Sequence, residues 1–200
     1  MIFDQAQCVV EKQDRSAERR SGLGRLFAIF EASFPSVHYR LLDSVTAVNA
    51  QASSTNDSRL VDVFGGLAFH PAIGHDALVF MLLHETGHHL GKGCKLPFAQ
   101  LACECSADSW ATAEGRRKLQ ADGVDFRLPA AVQEIEHALR FQMRGVSSTS
   151  ASRKRCWAMN WRERRQALLE GRTMRLKTCQ ISRAITHSQS RGLLYGRTDS

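Results

Sequence analysis

The sequence predicts an α+β fold in a single domain, on three observations. Short runs suited to extended strands gather between residues 37 and 64. Segments of helical apolar spacing lie on either side of them. With 200 residues, 43% apolar and 24% charged, the chain can bury one core without dividing, which argues against a disordered chain or a fibre. The expected organisation is a flexible N-terminus over residues 1–20, one domain over residues 21–186 with a basic helical part from about residue 141, and a flexible tail over residues 187–200.

Each element follows from local chemistry. In residues 23–34, Leu23, Leu26, Phe27 and Phe30 recur at helical spacing, Phe34 follows a turn later, and Pro35 closes the segment. Residues 37–42, 45–50 and 60–64 read as strands of a small sheet, with the polar stretch 51–58 as a loop between the last two. Gly65 and Gly66 break the pattern. Apolar density then rises through residues 76–90, where Asp76 is placed to cap the free amides of a helix and Gly91 and Gly93 to supply its left-handed stop. A further helix is expected from Pro97 to about residue 120, and another from Pro129 to about residue 143. After a low-complexity loop at residues 146–152, Asn160 and Glu163 have the spacing of a capping box, opening a short helix that Gly171 ends. The sequence contains no internal repeat.

Charge is unevenly placed. Residues 141–200 hold 13 Lys and Arg against 3 Asp and Glu, whereas residues 1–140 hold 14 against 17, so the net +7 belongs to the C-terminal third. Such a third can be an electrostatic footprint for nucleic acid or another polyanion, but no nucleic-acid motif accompanies it, which favours a solvated surface. No apolar stretch approaches the roughly 18–20 residues that span a bilayer, and residues 77–83 are interrupted by His84. The first twenty residues lack the basic start and apolar run of a secretory signal, so a cytoplasmic location is expected. In that compartment Cys8, Cys94, Cys103, Cys105, Cys156 and Cys179 are expected to be free thiols.

The chemistry concentrates in His84-Glu85-Thr86-Gly87-His88, an H-E-x-x-H motif inside the 76–90 helix. A helix turns about 100° per residue, so the two imidazoles share a face roughly 6 Å apart along the axis and can converge on one ion. Glu85 follows on nearly the same side. His89 points about 100° away from His88 and is left out of the site. Zinc suits imidazole nitrogen and carboxylate oxygen, and a catalytic zinc needs a third protein ligand and an open position. Sixteen residues after His88, Glu104 and Asp108 stand four apart on one helical face, with Ala107 and Ala111 small enough for close helix packing. Glu104 is then the candidate third ligand. Asp108 is placed to accept the remaining N–H of a ligand imidazole and fix its tautomer. Cys94, Cys103 and Cys105 form a rival zinc set, but Cys103 and Cys105, two apart on a helix, point in different directions, which favours packed thiols.

The motif with its downstream E-x-x-A-D resembles the gluzincin metallopeptidases. Residues 48–50, 61–66 and 76–78 resemble the approach to the active-site helix in the branch holding the CAAX prenyl proteases and the heat-shock membrane metalloproteases, whose small soluble relatives are the minigluzincins. This resemblance implies a zincin-like fold, zinc held by His84, His88 and Glu104, Glu85 as general base, and Asp108 supporting a ligand histidine, in a zinc-dependent endopeptidase acting on a peptide or protein. Residues 157–172 faintly resemble the Arg-containing helix that often follows in that family, and the family's transmembrane segments have no counterpart in this sequence. The implied reaction is metal-assisted hydrolysis: zinc lowers the pKa of its water from about 16 toward about 7, and Glu85 passes the proton to the departing amine. The strand at residues 60–64 is expected to offer an open edge to an extended peptide. Arg162, Arg165, Tyr195 and His137 are candidate oxyanion donors among which the sequence does not choose. The alternative from another class is a catalytically silent, metal-stabilised regulator that binds nucleic acid or a protein partner through the basic C-terminal third.

Overall fold

The computed structural model describes residues 13–55, 58–96, 100–140 and 161–171. Its architecture is α+β, with three strands and, among the described residues, helices on either side of them in sequence. Strands β1 (His38–Leu42), β2 (Ala50–Ser54) and β3 (Arg59–Phe64) form one sheet in the order β1-β3-β2. β1 runs parallel to β3, with Tyr39 opposite Val61, and β2 runs antiparallel to it, with Ala52 opposite Val61. β3 is therefore central, and β2 is an edge strand. No helix among the described residues is long and apolar enough to cross a membrane.

The expected second strand is displaced. Residues 45–49 turn instead: Val45 N–H donates to the Leu42 carbonyl, and the Val45 carbonyl accepts from Gly66 N–H. A Cβ at Gly66 would lie 2.0 Å from the Thr46 carbonyl oxygen, so this turn packs directly on the start of α2 (Gly65–Ala68). The strand begins at Ala50 and takes up Gln51, Ala52, Ser53 and Ser54 from the stretch expected to be a loop. Its small side chains suffice because the pairing to β3 supplies the backbone bonds, and Ala50 and Ala52 are the buried positions.

Helix α1 (Ala17–Ser33) starts earlier than its apolar spacing suggests, because the Ser16 hydroxyl accepts from Arg19 N–H and caps it. Residues 17–20, expected within a flexible terminus, are thus helical; residues 1–12 lie outside the described residues. Arg15 and Arg20 both pair with Asp43 and stack on the Phe69 ring at 4.7 and 4.8 Å. On its inner face α1 contributes Phe30, whose ring meets Tyr39 edge-on at 5.4 Å.

Helix α3 (His75–Leu90) is the axis of the domain, and every residue from Asp76 to His89 is buried. From Ala77 to Leu83 it is apolar on all sides, which places that stretch in the core. The sheet, α4 (Glu104–Trp110) and α6 (Leu128–Arg140) pack around the helix. Its N-cap residue is Gly74, not Asp76. The Glu134 carboxylate, from α6 (Leu128–Arg140), accepts from Gly74 N–H at 2.9 Å and Ala77 N–H at 3.0 Å, while Asp76 binds the Arg127 guanidinium and amide. At the other end Gly91 is extended (φ −62°, ψ 131°) rather than left-handed. The next helix begins at Glu104, not Pro97, because residues 100–103 belong to a hairpin-like return; residues 97–99 lie outside the described residues. It runs as α4 (Glu104–Trp110), widens through a π turn at Ala111–Gly115, and continues as α5 (Arg116–Ala121). α7 (Trp161–Leu169) matches the expected short helix, with Gly171 left-handed after it at φ 60°. Asn160, the loop at 146–152 and the tail from 187 lie outside the described residues.

Candidate metal centre

Helix α3 presents His84, Glu85 and His88 together at its buried C-terminal half, the residues 0–2% exposed. The two imidazole rings stand 4.6 Å apart between centroids, at 82° to each other. The ligand atoms of His84, Glu85 and His88 lie within 4.8 Å of one another, so these three form a buried group able to hold a metal ion. α4 approaches at Gly87, where a Cβ would stand 2.7 Å from the Ala107 carbonyl oxygen. That contact explains why Gly87 and Ala107 face each other, and it brings Glu104 to the histidines. Glu104 Oε2 is 3.3 Å from His84 Nε2, and Oε1 is 3.6 Å from His88 Nε2.

The tautomers of both rings follow from their outer contacts. His88 Nδ1 sits 2.7 Å from the Ala102 carbonyl, which can only accept, so Nδ1 carries the proton and Nε2 presents a lone pair. His84 Nδ1 meets the Asp108 carboxylate at 2.8 Å, a contact shorter than the 3.2 Å approach of the Arg164 Nη2 donor to the same atom, so Nδ1 donates to Asp108. Neither Nε2 makes a well-formed hydrogen bond, the polar group facing them among the described residues being the Glu104 carboxylate at 3.3 and 3.6 Å, and Glu85 Oε1 is buried without a hydrogen-bond partner. Buried polar groups are normally satisfied, so three such atoms converging on one place point to something held between them. The other Glu85 oxygen, Oε2, accepts from the Ala52 N–H of β2 at 2.8 Å. His89 stays outside the cluster, with Nε2 3.0 Å from the Leu60 carbonyl, as its helical position implies.

Arg164 of α7 completes the surroundings and is 1% exposed. Its Nε and Nη2 donate to the two Asp108 oxygens at 2.7 and 2.6 Å, and its Nη1 donates to Glu104 Oε2 at 2.7 Å. Burial pushes the Asp108 carboxyl up, but Arg164 and His84 outweigh it and hold the group at about 2. Burial likewise opposes ionisation of Glu104, yet His84 and Arg164 hold it well below the usual carboxylate range. For His88, burial and then the neighbouring His84 bring it down to about 3, leaving a neutral imidazole of the kind a metal requires. His84 is pushed down by burial and Arg164, and raised overall by Asp108 and Glu104. Burial raises Glu85 above its ordinary value, against the opposing pull of His84.

All five expected site residues, His84, Glu85, His88, Glu104 and Asp108, lie in this one cluster. Arg164 is the residue that motif reading missed. Trp161, Arg164 and Leu168 share a helical face, and that periodicity was the available signal. Of the candidate oxyanion donors, Arg162 and His137 are exposed, Arg165 pairs with Glu136 at 2.6 Å, and Tyr195 lies outside the described residues. Two further expectations are corrected. β3, residues 59–64, is paired on both sides, so among the described residues the open edge beside the cluster belongs to β2. The thiols are not all free: Cys94 and Cys103 are joined in a disulfide, and Cys105 is disulfide-bonded as well. The reason lies in the return before α4, which takes Cys103 out of the helix and sets its Cα 5.5 Å from that of Cys94, within bonding reach.

Compared with known proteins, the chain matches no family model, no curated protein and no solved structure.

Proposed function

We propose that the chain is a zinc-dependent endopeptidase of gluzincin type, with a zincin-like fold, acting on a peptide or protein. The observation that carries this reading is the pair of buried imidazole nitrogens that face Glu104 without a well-formed hydrogen bond, beside the unpartnered Glu85 Oε1. Ligands arranged tetrahedrally at about 2.0–2.1 Å from an ion are about 3.3–3.4 Å from each other, close to the separations of Glu104 from His84 and His88. Two nitrogens and a carboxylate suit zinc, whereas calcium and magnesium favour all-oxygen sites.

His84, His88 and Glu104 would hold the ion. When bound, zinc supplies Lewis acidity to the scissile carbonyl and acidifies water. The Ala52 N–H anchors Glu85 Oε2, which leaves Oε1 to take a proton from the attacking water. As the water oxygen bonds to the carbonyl carbon and the C–N bond breaks, Glu85 delivers that proton to the departing nitrogen and returns to its ionised state. Asp108 and Arg164 act as positioning residues, orienting His84 and Glu104; the guanidinium is committed to carboxylates and does not serve as an oxyanion donor. An extended substrate lies along the open edge of β2, the strand whose Ala52 touches the base. The test is Glu85→Gln, which keeps zinc and loses peptide cleavage by about 10²–10⁴-fold. Cleavage at the wild-type rate would defeat the reading.

A further inference from the structure

Between α3 and α4 the chain folds back on itself. Cys103 N–H donates to the Cys94 carbonyl at 2.8 Å, Leu96 N–H donates to the Leu101 carbonyl at 2.9 Å, and Lys95 and Ala102 form an antiparallel bridge. The Cys94–Cys103 disulfide closes this hairpin across a sequence separation of 9. Its last residues carry parts of the metal centre. Ala102 N–H donates to the His88 carbonyl at 2.6 Å, and the Ala102 carbonyl accepts from His88 Nδ1 at 2.7 Å. Cys103 is the N-cap residue of α4, and Glu104 is the first residue of that helix. The covalent clamp thus sits next to the carbonyl that fixes one imidazole and next to the carboxylate that faces both.

We propose that the Cys94–Cys103 disulfide is a redox switch for metal retention, an inference that rests on the metal-site reading above. Closed, it holds Ala102 and Glu104 in register with His84 and His88. Opened, it frees the hairpin and weakens binding of the ion. Cys94, which is half-buried, is the more accessible of the two residues, because Cys103 is fully buried. A small dithiol is the reductant. Its first thiolate attacks Cys94 Sγ, the protein S–S bond breaks, and Cys103 leaves as a thiolate that takes up a proton. The second thiolate then attacks the mixed disulfide and releases Cys94, so two electrons and two protons pass to the protein and the dithiol ends as a disulfide.

Closing a loop of this length raises the population of the ordered hairpin by up to about 100-fold. Losing a group that orients a ligand histidine weakens metal binding by about 10–100-fold. Both set the expected effect at about 10–100-fold in zinc affinity. The experiment is competition for zinc between the protein and a chromophoric chelator. It compares the oxidised protein, the same protein reduced with a dithiol and freed of it, and the Cys94→Ser/Cys103→Ser variant, which leaves Cys105 untouched. Amide exchange is followed in parallel. The expected result is a single zinc per chain, a Kd raised about 10–100-fold in the reduced and variant forms, and faster exchange at Ala102 and Cys103. Reoxidation of the wild-type protein restores tight binding, and because the dithiol also opens the Cys105 disulfide, a Cys105→Ser protein that still loses and regains affinity through the cycle assigns the effect to Cys94–Cys103, a readout that stands even if the double variant fails to fold. Affinities equal within about threefold across the forms would overturn this inference alone. Zinc bound by none of them would overturn the proposed function as well.

Discussion

Replacing Arg164 with Met removes the cation that faces two buried carboxylates while keeping most of the side-chain volume. Three of its hydrogen bonds, at 2.6–2.7 Å, go to Asp108 and Glu104, and its side chain is 2% exposed. At an effective dielectric of about 20, one such pair at about 4 Å is worth roughly 4 kcal/mol, offset by the cost of burying the guanidinium. Removing one partner of a buried pair costs about 3–5 kcal/mol, because the charge left behind is uncompensated. In a chain of this size each kcal/mol lowers Tm by about 2–4 °C, so Arg164→Met should melt roughly 10 °C below wild type in the presence of a chelator. The neighbouring Arg165→Met is the control. Arg165 is 41% exposed and pairs with Glu136, so its loss should cost at most about 1 kcal/mol. Thermal melts of the three proteins decide the matter. Equal shifts for the two variants would refute the reasoning that Arg164 is the structural counter-charge of the centre.

Gly87→Ala should cost about 1–3 kcal/mol and weaken zinc binding, because its Cβ would stand 2.7 Å from the Ala107 carbonyl oxygen and push α4 from α3. Gly24→Ala in α1, with nothing within 4 Å of its Cβ, should instead stabilise by about 0.5–1 kcal/mol; urea melts showing the same sign for both would contradict this. The carboxyl of Asp108 is held at about 2 against 3.8, a depressed value, so its contribution is present above about pH 4 and lost as pH falls toward about 2. That amounts to roughly 2 kcal/mol; the stability gap between wild type and Asp108→Asn should shrink across that window, and a gap unchanged from pH 5 to pH 2 would count against it.

The site was legible where chemistry repeats at helical spacing. His84 and His88 on one turn of α3, and Glu104 and Asp108 on one turn of α4, follow from the geometry of a helix, which distant contacts do not alter. What the sequence hid depends on partners far along the chain. β2 has the composition of a loop, and its strand exists because β3 lies alongside. Helix α3 is capped by Glu134, 60 residues from Gly74, so the local signal at Asp76 misled. Arg164 stands between exposed Arg162 and half-buried Arg165 in a basic stretch, and only its buried contacts distinguish it. The two cysteines pair because of a hairpin that Pro97 disguised as a helix start.

In the proposed centre His84, His88 and Glu104 hold a single zinc ion between them. Zinc titration of chelator-stripped protein, followed by metal analysis after gel filtration, tests this most directly. One tightly held equivalent is expected in the wild-type and Glu85→Gln proteins, and loss of that equivalent in His84→Ala, His88→Ala and Glu104→Ala. A wild-type chain that retains no zinc, or a His88→Ala chain that retains as much as wild type, would contradict it.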